Sequence, residues 1–87
     1  MAALLAVGTA AANSADFTLT GEATSLFLVA TAGIVSDSVV EIQVKSAAGV
    51  YYPIGSLNQT MPMQVLSAPG TFRVARPAGP SCGVDRV

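Results

Sequence analysis

Between Val39 and Gly55 the chain reads VVEIQVKSAAGVYYPIG, with Val40, Ile42 and Val44 alternating with Glu41, Gln43 and Lys45. A period of two sends the branched side chains to one face of a strand and the polar ones to the other. The run meets Ser46-Ala47-Ala48-Gly49, where Gly49 can take the positive φ that closes a short hairpin loop. A return strand runs from Val50 to Ile54. Pro53 places that strand at a sheet edge, because proline has no N–H for a second neighbour.

Shorter runs repeat the alternation on either side. Phe17 and Leu19 alternate with Thr18 and Thr20 before a turn at Gly21-Glu22. Gly55 to Thr60 reads as a loop, and Met61, Met63 and Val65 mark an edge strand containing Pro62. Ala68-Pro69-Gly70-Thr71 has the Pro-Gly centre of a type II turn. Beyond it, Phe72 and Val74 point in and Arg73 points out. Pro77 to Pro80 is a rigid link, and Cys82 and Val84 share one face of the last strand.

Ser25 to Thr31, SLFLVAT, breaks the pattern. Leu26, Leu28 and Ala30 line one face, but Phe27 and Val29 make the other face apolar too. A strand apolar on both faces is buried on both. A two-sheet sandwich covers only one, so the Phe27/Val29 face is expected to meet the N-terminal segment or a neighbouring subunit. With no helical period beyond the Ala-rich start, the pattern predicts an all-β fold. It is a small antiparallel β-sandwich or jelly-roll-like barrel of about seven short strands.

Met1 to Ala12, MAALLAVGTAAA, resembles the apolar part of a signal peptide, but no cation precedes it and the first charge is Asp16. It is shorter than the ~20 residues a bilayer span requires. The segment reads instead as an Ala-rich arm or edge strand that packs on a partner, giving an arm over residues 1–14 and one sandwich domain over 15–87. On this reading, deleting residues 1–12 removes assembly and leaves the sandwich folded.

Composition sharpens the picture. Hydrophobic residues make up 52% of the 87 positions and charged residues 10%, against roughly 25% charged in ordinary domains. A chain this short buries only about 60–65% of its unfolded surface. So few charges imply that other chains cover part of the surface.

The chemistry is sparse. There is no His, which removes His-based triads and most transition-metal sites, and the single Cys82 excludes both an intrachain disulfide and a thiolate zinc site. Cys82 reads as a small core hydrophobe. Asp37 and its neighbouring hydroxyls offer one carboxylate, too few for calcium. No acid pair, activated nucleophile or phosphate-binding loop is present, so no enzyme, cofactor or metal is expected. Four dispersed cations make no stripe for nucleic acid.

The candidate contact residues are therefore apolar, aromatic or Arg: Leu4, Leu5 and Val7 in the arm, Phe27 and Val29, the adjacent Tyr51 and Tyr52, and Arg73 and Arg76. One tyrosine of the pair should face the core and the other solvent, where it could anchor an interface or stack on a sugar. Arg73, Arg76 and Arg86 would gather if the last two strands pair, with salt bridges to Asp85 or Glu41 as the expected outcome.

The sequence resembles the small virion-associated β-sandwich proteins of tailed bacteriophages. The likeness lies in ADFTLT (15–20), IQVKSAAGVYYPIGSL (42–57), LSAPGTFRVARP (66–77) and GVDR (83–86). It implies a capsid decoration (cement) or head-fibre role in the virion, with assembly in the host cytoplasm. The implied partners are copies of the chain itself, with a trimer as the working state, and the major capsid protein or a neighbouring virion protein. No membrane or nucleic acid is implied. The alternative is a module of a phage fibre or tail that binds host-surface glycans through Tyr51 or Tyr52.

Overall fold

The computed structural model describes residues 2–31 and 33–87. They form nine strands in two antiparallel sheets: β1 (Ala2–Gly8), β2 (Ala12–Asn13), β3 (Phe17–Leu19), β4 (Thr24–Val29), β5 (Val39–Lys45), β6 (Tyr51–Asn58), β7 (Met63–Leu66), β8 (Gly70–Arg76) and β9 (Cys82–Arg86). Sheet A has the order β1-β9-β4-β7; sheet B has β2-β8-β5-β6, with β3 also on β8.

β2 and β3 act as one interrupted strand. Ser14, between them, accepts a hydrogen bond from the Val74 N–H at 3.0 Å and sends its own N–H to the Val74 carbonyl at 2.8 Å. Counted so, the first strand pairs with the last, the second with the second-to-last, and so inward, the pairs alternating between sheets. That wrapped hairpin is the jelly-roll arrangement.

The alternating patterns close the core between the sheets. Leu5, Leu26, Leu28, Cys82 and Val84 face inward from sheet A, and Phe17, Leu19, Val40, Ile42, Leu57, Phe72 and Val74 from sheet B. The hairpin forms as the pattern predicts: Gly49 has φ +82°, and the Ser46 N–H bonds to the Val50 carbonyl at 2.8 Å. The return strand is longer than predicted. It continues through Gly55 to Asn58, and Leu57 is fully buried opposite Val40. A register shift between Ile42 and Gln43 accommodates Ile54 and lets the strand extend past Pro53.

The Pro69-Gly70 segment is not a hairpin turn. Gly70 has φ +153° and already pairs with Leu19 as the first residue of β8, so 67–69 cross from sheet A to sheet B.

The N-terminal segment is no detached arm. β1 is an edge strand of sheet A, with Ala3 opposite Asp85 and Leu5 opposite Val84, and Leu5 belongs to the core. Within the N-terminal segment, β1 pairs with β9 and β2 with β8, so both strands belong to the sheets of the sandwich. The seat of β1 is Gly83, where a Cβ would lie 2.5 Å from the Leu5 carbonyl oxygen and 2.7 Å from the Val7 nitrogen. Both atoms are backbone and cannot swing aside. Gly83→Ala is expected to lift β1 and cost about 2 kcal/mol, or about 8–16 °C in Tm. A thermal melt matching the parent's would show that β1 does not seat there.

Candidate functional site

The register of sheet A decides which side chains leave the core. Leu26, Leu28, Val84 and Leu5 point inward, so their strand neighbours point out. Ala3, Asp85, Phe27 and Met63 form one outer row across all four strands. Ser25 and Val65 form the next row with Val87, which exchanges two backbone hydrogen bonds with Ser25. Val29 lies opposite Gly83 in the third.

Nothing among the described residues covers this face. Phe27 and Val29 are partly buried, while Met63, Val65 and Val87 are 47%, 57% and 61% exposed. β1 cannot act as the cover expected of it, because it lies in the plane of the sheet beyond β9. The result is an apolar sheet face interrupted by Ser25 and by the Asp85 carboxylate.

The outer face of sheet B is polar and internally satisfied. Arg73 donates from Nε to the Gln43 Oε1 at 2.7 Å, and Gln43 donates to the Glu41 Oε1 at 2.7 Å. The Arg73 guanidinium stacks 3.5 Å above the Tyr51 ring. The Tyr51 hydroxyl donates to the Asp16 carboxylate at 2.8 Å, and Lys45 reaches the same carboxylate at 3.5 Å. Just past β3, at the Lys45 end of that sheet, the Thr20 N–H donates to the Glu22 carboxylate and holds it below the usual carboxylate range.

The remaining candidates separate. Tyr51 turns outward into this network instead of the core. Tyr52 points toward the inner side of β6, opposite Val44, but the sheet edge leaves it 54% exposed. Leu4 packs against the core, Leu5 is within it, and Val7 is exposed. The predicted arginine cluster does not form, because β8 and β9 belong to different sheets. Arg86 lies over the Phe17 ring, 4.6 Å from its centroid, and donates to Thr24 Oγ1.

Arg76 is buried. Its Nε donates to the Ala10 carbonyl at 2.8 Å, and its Nη1 donates to the Ala6 and Cys82 carbonyls at 2.6 and 2.7 Å. This is a structural clasp, not a contact surface.

An open cleft of about 540 Å³ is lined by Ser36, Asp37, Ser38, Asn58, Gln59 and Thr60. Asp37 is its one carboxylate, and the Asn58 Oδ1 already accepts from the Thr60 hydroxyl and the Met61 N–H. Among the described residues no three His, Cys, Asp or Glu side chains lie together as a metal site.

The Met61–Met63 segment is apolar filler for a core or an interface by its sequence, and Met63 lies on this face; Val65, Val87 and Asp85 join it without having stood out as contact residues. The phase of Gln64 and Leu66, which face inward, carried the signal for Val65 as well as Met63. Neither a family model, a curated protein nor a solved structure matches this chain.

Proposed function

We propose that this chain is a non-enzymatic structural protein of a bacteriophage particle, of the capsid decoration type, which docks through the outer face of sheet A. The observation that carries the reading is the apolar row Phe27–Met63 with Val65, Val87 and Val29 around it, left uncovered by the described residues. An exposed apolar patch with polar groups around it is often a contact site. Jelly rolls are frequent in viral coats, which supports the reading by analogy alone. The scarcity of charge adds to it: surface meant for contact has less need of charged side chains. Self-association is the second part of the proposal, and native mass by light scattering across a wide dilution series tests it.

Co-sedimentation with capsid shells of the encoding phage tests the docking. The wild-type chain is expected to pellet with shells at a fixed ratio. The Met63→Glu/Val65→Glu double variant should remain in the supernatant with its melting temperature intact, since both side chains point away from the core. Wild-type protein that stays in the supernatant overturns the reading.

The competing glycan reading now rests on Tyr52. Arg73 lies over one face of Tyr51 and Asp16 engages its hydroxyl, whereas Tyr52 is 54% exposed.

A further inference from the structure

Asp85 sits on a central strand of the exposed apolar face, flanked in its row by Ala3 and Phe27, with Met63 one strand further. It is partly buried already, and no hydrogen bond or ion pair reaches it among the described residues. A protein seated across this row covers the carboxylate together with Phe27, its neighbour on the next strand. Burying an ionised carboxylate without a partner strongly opposes association.

We propose that this face is completed by a protein other than a second copy of the chain, one whose apolar surface brings a lysine or arginine to Asp85. The inference rests on the docking role argued above and specifies the chemistry of the partner.

Among the described residues no side chain meets the demand. Its four cations are all placed elsewhere. Lys45 is beside Asp16, Arg73 is on the outer face of sheet B, Arg76 is buried against carbonyls, and Arg86 is over Phe17 on the inner side. A second copy laid face to face would set Asp85 against Phe27 or against another Asp85, according to the direction of the two-fold axis.

Area makes the charge decisive. Four strands about 4.8 Å apart and three rows of outward residues outline roughly 400 Å². A stable interface needs about 800 Å² per partner. With so little apolar area, the pairing of one charge decides whether the face holds its partner.

The test uses the full-length chain and Asp85→Asn, Asp85→Ala and Asp85→Lys, first by co-sedimentation with capsid shells. Asp85 makes no contact that holds the fold, so all four proteins should melt together. Asn and Ala are expected to weaken shell binding roughly thirtyfold or more, and Lys to abolish it. Shell binding by Asp85→Ala equal to the parent's overturns the inference.

Light scattering without shells supplies an independent arm. Asp85→Lys carries the missing cation on the same apolar face, so mixing it with the wild type should raise the mass above that of either protein alone. A mixture that keeps the masses of its components overturns the inference. So does a wild-type oligomer whose mass falls on Val65→Glu, because a second copy would then be the occupant. If wild-type chain ignores the shells altogether, the decoration role fails while the mixing experiment still decides the requirement for a cation.

Discussion

Arg76→Ala is expected to lower the melting temperature by about 12–24 °C, corresponding to about 3 kcal/mol in a domain this small. The guanidinium is buried and is held by three backbone carbonyls, those of Ala6, Ala10 and Cys82. Alanine leaves these acceptors facing a hole, and each buried carbonyl without a donor costs about 1–3 kcal/mol, less where water enters. A domain of this length has roughly 4–13 kcal/mol of stability in all, so one side chain accounts for a large share. The three carbonyls lie on β1, on the link after it and on β9, and the arginine on β8. Arg76 therefore ties sheet A to sheet B where neither has much apolar bulk. Arg76→Lys, which keeps the charge but has one nitrogen, should fall between. A circular-dichroism melt of Arg76→Ala within a few degrees of the parent's would show that the clasp contributes little.

Much of this architecture is legible in the sequence because strand alternation is a local signal. Val40, Ile42 and Val44 point inward, as do Phe17, Leu19, Phe72, Val74, Cys82 and Val84, each in phase with its own strand. The hairpin at Gly49 is local too. The SLFLVAT stretch announced a second apolar face, and Phe27 and Val29 do project from the outer side of sheet A. What covers that face is not encoded locally.

The errors share a cause: they depend on which strands become neighbours. Arg73, Arg76 and Arg86 cluster only if β8 and β9 pair, whereas Pro77–Pro80 carries the chain from one sheet to the other. Tyr51 and Tyr52 alternate as expected, yet neither reaches the core, because β6 is an edge and its inner side at Tyr52 has no strand above it. In the sequence Asp85 reads as a salt-bridge acceptor and Met63 as part of an edge strand. Only the cross-strand register sets them in one row on an uncovered face.

The same dependence on pairing reverses the expectation for the N-terminus. Removal of residues 1–12 is now expected to unfold the domain at 25 °C, with loss of near-ultraviolet circular dichroism, instead of releasing an assembly arm from an intact sandwich. The deletion takes Leu5 out of the core, worth about 1.5–3 kcal/mol, together with the partly buried Leu4. It also removes Ala6 and Ala10, two of the three acceptors of Arg76, and strands a cation in the interior at a cost of about 3–5 kcal/mol. Together these consume most or all of the roughly 4–13 kcal/mol available. What remains is a vacant strand position on β9, floored by Gly83, where only backbone fits. A synthetic peptide of residues 1–12 matches that groove in shape and returns both carbonyls to Arg76. Added to the truncated chain, it should restore the near-ultraviolet spectrum with saturation. A truncated chain that shows the parent's spectrum and melting without peptide would make β1 a dispensable arm. Rescue by the peptide would show that the first strand completes the jelly roll, so that loss of particle binding in this truncation reports unfolding and not a lost contact.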